Sequence, residues 1–445
     1  MGAEEAELQM MAERAPHFNG GMNRPYIGLR RRQFATRMFV PFKFRLYPFP
    51  DQRRELLRQF EELRFLWNHA LEQRQAAWRK EKRSVSYEDQ CRDLTRWRDF
   101  DRAGVGRVNA QVAQEALARL GGAFGDFFRR AREGGPPGFP RFKREVTSLT
   151  YPQAYESVEM VEGRNGTRRL HLSKVGDLPI KLHREPPEGR VKTCTIQREG
   201  DRWFAVLTYE VVDPSPPSGL PTNPVGVDLG LSHLATLSDG EVVEPPKFLR
   251  QSEKRLARAQ RIVSRRKKGS HNREKARVRL VRCHAKVRDQ RRDFAHQLTT
   301  GWARCHDLIA FEDMDLRGHL EGAFPKATAD AGWGLLRQFC GYKEARRSGR
   351  YVEVPTKGTT QTCSRCGRLA DPPLTLKDRT YECPCGLRLN RDVNAARNVL
   401  ARALAQVPGG TGESTPVETG PPPHRKGRRG RSKKQEPPPA SRVAT

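Results

Sequence analysis

Residues 225–231 read Val-Gly-Val-Asp-Leu-Gly-Leu, and this short apolar run around the carboxylate of Asp228 decides the predicted fold. A continuous apolar run of this length is typical of a buried β-strand. A lone aspartate on such a strand is costly to bury unless it is paired or bound to a cation. An aspartate that begins a turn gives the same local pattern, so the run by itself leaves the role of Asp228 open.

Two further carboxylates occupy comparable positions. Glu312 follows the apolar run 308–311, 84 residues after Asp228, and Asp392 opens a predicted helix over residues 393–404, another 80 residues on. Taken singly, Glu312 is compatible with a solvent-facing strand end, and Asp392 with a favourable first-turn residue of a helix. Together they offer the hard oxygen ligands that Mg²⁺ takes. Two such ions ~3.5–4 Å apart can drive phosphodiester cleavage, so we predict a magnesium site if the fold brings these acids together.

The composition indicates a polyanionic partner. The 445-residue chain carries 83 Lys and Arg against 52 Asp and Glu, a formal net charge of +31, which suits nucleic acid. No apolar stretch reaches the ~18 residues that a membrane-spanning helix needs, so we exclude a transmembrane protein and a membrane partner. No export signal is expected either, and we predict a cytoplasmic protein associated with the nucleoid.

Hydrophobic periodicity predicts an early strand, two packed helices and a later β-rich stretch. Phe42, Phe44 and Leu46 alternate with basic residues, as in a half-buried strand. Asp51 is expected to cap a helix that runs to about Lys80. Residues 191–197 and 203–211 flank a turn sequence and fit a hairpin, and the prolines at 214–217 mark a linker. The two helices should pack through their apolar stripes, which are Leu56, Phe60, Leu63, Trp67 and Leu71 in the first and Ala113, Leu117, Leu120, Phe124 and Phe128 in the second.

Four of the nine cysteines are clustered at metal-ligand spacing. Cys363 and Cys366 form a C-x₂-C pair, and Cys383 and Cys385 follow as a C-x-C pair. Two C-x₂-C pairs are the usual signature of a tetrahedral zinc site. The second pair here is one residue short, so an empty ribbon or inert thiols stay as the alternative. A glycine directly after each pair supplies a tight turn, which favours Zn²⁺ held by all four thiolates.

The densest positive charge lies between residues 250 and 292. That segment holds 18 Lys and Arg and three acids, a net charge of +15 in 43 residues. A solvated helix face is the usual explanation of a charge run, but charge this unbalanced repels itself unless phosphates neutralise it. We therefore expect the segment, and in particular Arg265, Arg266, Lys267 and Lys268 at a predicted helix end, to contact nucleic acid.

Six segments stand out in a set order. They are VGVDLGLSHLATLSDG (225–240), RRDFAHQLTT (291–300), LIAFEDMDLRG (308–318), GWGLLRQFCGYKEARRSGR (332–350), TTQTCSRCG (359–367) and RDVNAARN (391–398). FKFRLYPFPDQ (42–52) and PGFPRFKR (137–144) precede them. As a set, covering residues 37–405, they resemble the TnpB family of transposon-encoded RNA-guided DNA endonucleases, which is related to the type V CRISPR effector nucleases.

The resemblance implies an α+β multidomain protein with an RNase H-like RuvC nuclease domain. It makes Asp228, Glu312 and Asp392 catalytic ligands of Mg²⁺, with two ions expected, and it implies guide RNA and double-stranded target DNA as partners. The family often has Asp-Arg-Asp where this chain has Asn390-Arg391-Asp392, so one further carboxylate is missing, and we expect catalysis to survive that loss.

The implied domains follow the same resemblance. They are a mobile leader (1–36), a β-barrel-like wedge domain (37–50 and 136–213), a helical recognition insertion (51–135), the RuvC-like nuclease domain (222–360 and 387–407), a zinc ribbon (361–386) and a disordered basic tail (408–445).

The expected function is RNA-guided cleavage of target DNA next to a short adjacent motif, by a divalent-metal RuvC mechanism in a transposon-encoded protein. Three alternatives stay open: a compact type V CRISPR effector in antiviral defence, a non-cutting RNA-guided DNA-binding protein, and a DNA transposase. The presence of all three acids disfavours the non-cutting protein. A transposase would join DNA without a guide RNA, and only the origin of the guide separates the CRISPR effector from the transposon-encoded nuclease.

Overall fold

Two large sheets and one small hairpin organise the chain in the computed structural model. The structure describes residues 37–136, 138–163, 166–212, 219–321, 324–375 and 378–407. The predicted leader, the linker prolines at 214–217 and the predicted basic tail lie outside these residues. None of the described helices is long and apolar enough to cross a membrane.

The first sheet has seven strands. These are β1 (Arg37–Leu46), β2 (Ser148–Tyr151), β3 (Val158–Glu162), β4 (Arg168–Leu172), β5 (Gly176–Lys181), β6 (Arg190–Glu199) and β7 (Arg202–Val212). Their order is β2-β6-β7-β1-β5-β4-β3, and every pair is antiparallel. The edge strands β2 and β3 do not pair with each other, so the barrel-like closure expected from the sequence is not confirmed: the sheet is open. The predicted hairpin is present as β6 and β7, joined through Gly200 and Asp201.

Helices inserted after β1 cover this sheet. They are α1 (Pro50–Glu81), α2 (Tyr87–Phe100) and α3 (Ala110–Arg132), and a short α4 (Ala154–Ser157) follows β2. The two predicted apolar stripes are confirmed, because α1 and α3 pack together and share one core with β1, β6 and β7. Asp51 is not the cap of α1. The backbone N–H of Phe49 donates to the side chain of Gln52, and Pro50, which lacks the N–H that the first turn cannot pair, begins the helix.

The second sheet has five strands in the order β10-β9-β8-β11-β12. They are β8 (Pro224–Leu229), β9 (Ala235–Leu237), β10 (Val242–Val243), β11 (Leu308–Glu312) and β12 (Arg350–Val354). Strands β8, β9 and β10 are antiparallel neighbours, whereas β11 runs parallel to both β8 and β12. The helices of this half are α5 (Phe248–Arg265), α6 (His271–Cys305), α7 (Leu316–Glu321), α8 (Pro325–Ala331), α9 (Trp333–Arg346) and α10 (Arg391–Leu404).

The two faces of the second sheet bury different helices. Ile309 and Phe311 of β11 pack with apolar residues of α6 and α9, while Leu308 and Ala310 pack against α10. This alternation follows from the two-residue period of a strand. A separate antiparallel hairpin, β13 (Thr380–Glu382) with β14 (Arg388–Asn390), carries the second cysteine pair at its turn and leads directly into α10.

The two halves of the protein meet where the β6–β7 turn contacts α6. Ion pairs link Asp201 to Arg282 (2.7 Å), Arg202 to Asp289 (2.6 Å) and Glu199 to Arg288 (2.6 Å). All of these residues except Arg288 line a cavity of about 570 Å³. Part of the basic charge of residues 250–292 is therefore neutralised inside the protein. Partly exposed pairs of this kind stabilise modestly, so their main effect is to set the orientation of the contact.

Helix α10 approaches β8 more closely than a side chain permits. A Cβ atom at Gly226 would overlap the carbonyl oxygen of Ala396 and lie 2.7 Å from the backbone nitrogen of Leu400. Both obstacles are helix backbone, which cannot move aside as a flexible side chain can. The glycine noted in the sequence run 225–231 is therefore the contact that lets α10 lie directly on the strand.

We predict that Gly226→Ala lowers the free energy of unfolding by about 1–3 kcal/mol, because the added methyl group must push α10 off the sheet. The measurement is thermal or denaturant unfolding. Gly301→Ala in α6 is the control, because a Cβ there meets nothing within 4 Å and removes a helical glycine. The packing argument is wrong if both variants unfold like the wild type.

Candidate active site and metal centre

Asp228 and Glu312 occupy equivalent positions on neighbouring parallel strands. The register pairs Val227 of β8 with Phe311 of β11, so the two acids are the next residues along. Asp228 lies two residues after Gly226, and Glu312 two residues after Ala310, so both side chains point to the face that α10 covers. The strand ends thus bring together two carboxylates that are 84 residues apart in sequence.

Asp392 reaches the same face from the first turn of α10. The side chain of Asn390 accepts hydrogen bonds from the backbone N–H groups of Asp392 (2.8 Å) and Val393 (3.4 Å) and so caps the helix. Asn390 stands where the resembling family often has a carboxylate, and here it fixes the start of the helix instead. The Asp392 side chain is only 14% exposed, with Oδ2 3.6 Å from Nδ1 of His233.

Electrostatics join the three acids. Burial, together with the charges of Glu312 and Asp392, raises the pKa of Asp228 to about 8 against the opposing effect of Arg391. Burial also raises the pKa of Glu312, although a hydrogen bond from Thr359 and the charge of Arg402 oppose it. A site that disfavours its own negative charge this strongly favours a bound cation.

One oxygen of the site has no partner. Oε1 of Glu312 is buried and forms no hydrogen bond, which is costly for a carboxylate unless a further group binds it. A divalent cation fits this position, because its ligands are carboxylate oxygens. Among the described residues, only the four cysteines have all ligand atoms within 4.8 Å of one another, so the three carboxylates are spread more widely than a closed one-ion cage.

The four predicted zinc ligands form one cluster. Sγ of Cys363 lies 3.7 Å from Sγ of Cys385, and Sγ of Cys366 lies 3.6 Å from Sγ of Cys383. Four sulfurs bound tetrahedrally ~2.3 Å from one ion would be ~3.8 Å apart, so the spacing matches a zinc site. The short C-x-C pair thus reaches the cluster with both sulfurs. Gly367 and Gly386 follow the two pairs with φ of +74° and +86°.

The surroundings of Cys363 favour its thiolate, whereas, against a hydrogen bond from the backbone N–H of Cys385, burial and the neighbouring thiols raise the pKa of Cys383 to about 12. Burial opposes ionisation of the Cys363 thiol, but hydrogen bonds from the backbone N–H groups of Cys366 and Arg365 lower its pKa to about 7. A lowered thiol pKa favours metal binding, because the thiolate is the ligand. The structure therefore has a four-cysteine cluster compatible with a metal ion.

Two buried asparagines of α10 hold this cluster beside the acids, and the sequence reasoning missed them. Asn394 donates to the carbonyl of Thr362 (2.7 Å) and accepts from the backbone N–H of Ser364 (2.9 Å). Asn398, one turn later, donates to the carbonyls of Thr359 (2.8 Å) and Thr362 (2.7 Å). Both lie in the RDVNAARN segment. Two amides four residues apart on an otherwise apolar helix face could have predicted a buried polar contact there.

The predicted nucleic-acid contacts lie at the end of α5. Helix α5 ends at Arg265, and Arg266, Lys267 and Lys268 lead into a turn at Gly269, as expected. All four basic side chains are exposed, and within the described part of the chain none of them forms an ion pair. Their charge is therefore available to phosphates, unlike that of Arg282 and Arg288.

Family models match three parts of the chain. A model described as "Probable transposase" matches residues 206–321, which include Asp228 and Glu312. One described as "Cas12f1-like, TNB domain" matches residues 333–399, which include the four cysteines and Asp392. One described as "Helix-turn-helix domain" matches residues 40–83, which here form most of β1 and all of α1.

A solved structure shares the fold. It is a cryo-EM structure of a Cas12f1–sgRNA–target DNA complex, whose protein superposes with a TM-score of 0.53 over 82% of this chain and 98% of that chain. Its sequence identity is 13%, so the likeness concerns the fold alone.

Two relatives match most of the chain. The "Putative RNA-guided DNA endonuclease" of Streptomyces pristinaespiralis is 38% identical over 372 residues, which cover 82% of this chain and 89% of that protein. The "Putative RNA-guided DNA endonuclease InsQ" of Escherichia coli K12 is 30% identical over 386 residues, covering 82% of this chain and 92% of the relative. Identity at this level over nearly the full length of both relatives shows that the chain belongs to the TnpB family of RNA-guided DNA endonucleases.

Proposed function

We propose that this protein is a transposon-encoded, RNA-guided endonuclease that cleaves target DNA next to a short adjacent motif. The observation that carries the proposal is the convergence of Asp228, Glu312 and Asp392 on one face at the strand ends of the second sheet. Asp228 and Glu312 come from a domain that we take to be RNase H-like, and Asp392 comes from the helix packed on it. Names of relatives and the shared Cas12f1 fold support the same activity.

The three carboxylates would hold Mg²⁺, and two ions are expected. Bound there, divalent ions supply Lewis-acid stabilisation of the charge that develops on phosphate oxygens during hydrolysis. The protein's own residues set the geometry: the strands place Asp228 beside Glu312, and Asn390 fixes Asp392 at the helix start. The unpartnered Oε1 of Glu312 is a free ligand atom.

We predict that Asp228→Asn abolishes DNA cleavage and leaves RNA binding unchanged, because it removes a ligand without touching the basic surface. Cleavage of a target duplex by guide-loaded protein is the measurement, with Asp99→Asn, an exposed carboxylate of α2, as the control. Cleavage that persists in Asp228→Asn removes this residue from the active site.

The same variant has a stability signature. The folded-state pKa of Asp228, about 8, is above its ordinary value of 3.8. Protonated Asp228 therefore stabilises the folded state relative to the unfolded state below pH 3.8, and this stabilisation is lost as the pH rises from 3.8 to about 8. In EDTA, Asp228→Asn should therefore melt at a higher temperature than the wild type near pH 8, and the gap should close toward pH 4. Mg²⁺ should raise the Tm of the wild type more than that of the variant. Equal melting temperatures at every pH contradict the charge repulsion.

Guide RNA and target DNA are the proposed partners. The net charge of +31 and the exposed end of α5 support a phosphate-binding surface. We propose that Arg265, Arg266, Lys267 and Lys268 line a channel for the guide RNA or for its heteroduplex with DNA, recognised through the backbone. Guide pairing then supplies most of the sequence recognition, while the protein reads the adjacent motif.

We predict that changing these four residues to Gln makes the negative slope of log affinity against log salt for guide RNA shallower by about 2–3. Each lost phosphate contact on a single strand removes ~0.7 from the magnitude of that slope. Filter binding or fluorescence anisotropy over a salt series measures the slope. The matched control is a quadruple Gln variant of Arg54, Arg83, Arg92 and Arg129, which are exposed and paired with nearby acids. The channel assignment fails if both variants keep the wild-type slope.

We further propose that Cys363, Cys366, Cys383 and Cys385 hold one Zn²⁺ in a ribbon. The sulfur spacing and the small apolar cluster of that region support a structural ion, because binding can add roughly 10–16 kcal/mol to the folding of a ribbon with little core.

The predicted zinc content is one ion per chain. Cys385→Ser should lower it to well below one and lower the Tm, whereas Cys305→Ser, an exposed cysteine outside the cluster, should change neither. Elemental analysis of protein purified without chelator gives the count. Full zinc content in Cys385→Ser would exclude the four-thiolate site.

Sequencing the RNA that co-purifies from the host tests the biological role. A transcript from a transposon end supports the proposal, and a repeat–spacer RNA would indicate a CRISPR effector instead. DNA strand transfer by RNase-treated protein would indicate a transposase.

A further inference from the structure

Three arginines from separate elements converge where the two halves of the protein meet. Arg184 follows β5, Arg292 lies in α6 and Arg346 ends α9. The guanidinium carbon of Arg184 is 4.1 Å from the ring centre of Phe42 in β1, and that of Arg346 is 5.7 Å from the same ring. Arg292 is 6.0 Å from the ring of Phe339 in α9. We call these three residues the junction arginines.

Within the described part of the chain, the junction arginines have no partner of opposite charge. None of them forms a hydrogen bond or ion pair with another described residue. Burial lowers the pKa of Arg346 and the charge of Arg184 lowers it further, so the guanidiniums are close enough to repel. Neighbouring arginines of α6 differ, because Arg288 and Arg291 pair with Glu199 and Asp330.

Among the described residues, the other ionisable groups at the junction form no ion pair with these arginines, although the carboxylate of Asp293, next to Arg292 in sequence, brings one negative charge there. Lys343 adds a cation, but its ammonium already donates to the carbonyl of His296 and to the hydroxyls of Thr299 and Thr300, each at 2.7 Å. Burial lowers the pKa of His296 to about 4, and nearby cations add to the shift, so the ring is neutral at pH 7. The carboxylate of Asp293 acts on His296 and accepts a hydrogen bond from Gln297.

The aromatic contacts leave the donors of the junction arginines free. Arg346 also lies 4.7 Å from the ring of Tyr342, so one guanidinium faces two rings. A guanidinium beside a ring still carries N–H donors that match two oxygens of a phosphate, and these three have no hydrogen-bond partner among the described residues. The rings therefore help to hold the three guanidinium groups at the junction.

We propose that Arg184, Arg292 and Arg346 form a phosphate clamp that binds the phosphodiester backbone of nucleic acid across the junction of the two halves. The clamp rests on the proposed function only in taking nucleic acid as the partner. It differs from the end of α5 because it is anchored in both halves, so an occupied clamp fastens the first sheet to α6 and α9. Such contacts position the nucleic acid and carry no sequence information.

The test is the triple variant R184Q/R292Q/R346Q. Its affinity is measured over a salt series, first for the co-purifying guide RNA and then, with guide loaded, for target duplex DNA. For one of these two nucleic acids, we expect the negative slope of log affinity against log salt to become shallower by about 2. The affinity near 0.15 M salt should fall at least tenfold in the same arm of the experiment. The arm that changes identifies the nucleic acid that supplies the phosphates.

Controls separate binding from folding. The variant R54Q/R83Q/R129Q removes the same charge from exposed, ion-paired positions and should keep the wild-type slope. The Lys variant R184K/R292K/R346K should restore the slope and only part of the affinity, because lysine keeps the charge without the planar fork. Without nucleic acid, the Gln variant should melt no lower than the wild type, since mutual repulsion is removed.

The outcomes distinguish this proposal from the proposed function. An unchanged slope of the triple variant in both arms, or a lower Tm with unchanged affinity, overturns the clamp. If the wild type cleaves in the same experiments, the nuclease proposal is still supported. Loss of affinity in the triple variant, together with a wild type that binds RNA but never cleaves, supports the clamp and contradicts the nuclease.

Discussion

The close approach of α10 to β8 at Gly226 is the constraint on which the candidate site depends. Because the helix backbone lies where a Cβ would be, the first turn of α10 comes within electrostatic reach of the strand ends. That contact turns three acids, far apart in sequence, into one site. A strand, a neighbouring parallel strand and a packed helix each contribute one carboxylate, so no local segment can form the site alone.

The same helix couples the acids to the cysteine cluster. Asn394 and Asn398 use their buried amides to hold the backbone around Thr362 against α10, a short distance along the helix from Asp392. Buried amides that lose their partners are costly, so a disordered ribbon would leave both unsatisfied. The ribbon therefore supports the helix that carries the third acid, and Thr359, whose carbonyl Asn398 binds, contacts Glu312 through its side chain.

Charge is distributed in three distinct ways over this cationic chain. At the β6–β7 turn, two arginines of α6 pair with acids of the hairpin and Asp289 of α6 pairs with Arg202 of β7, and this pairing orients the two halves. At the end of α5 and at the junction arginines, basic groups have no acidic partner in the described residues. At the strand ends of the second sheet, acids are concentrated despite the net positive charge. Basic groups without an acidic partner in the described residues are thus the candidates for phosphate contacts, whereas paired groups stabilise the structure.

Local patterns in the sequence were enough to predict the strand around Asp228, the apolar stripes of α1 and α3, the β6–β7 hairpin and the cysteine spacing, because each depends on neighbours within a few residues.

Other features depend on contacts across long separations, and only the tertiary structure decided them. The first sheet stays open because β2 and β3 lie at its opposite edges. Phe49 and Gln52, rather than Asp51, cap the start of α1. Asn390 stands where the resembling family often has a carboxylate, and in this structure it caps α10. Which arginines of residues 250–292 are free could not be read from charge counts, since the acidic partners of Arg282, Arg288 and Arg291 come from the β6–β7 turn, β6 and α8. Periodicity records the face that a residue turns to the core, but the partner on the other side of that core is set by packing.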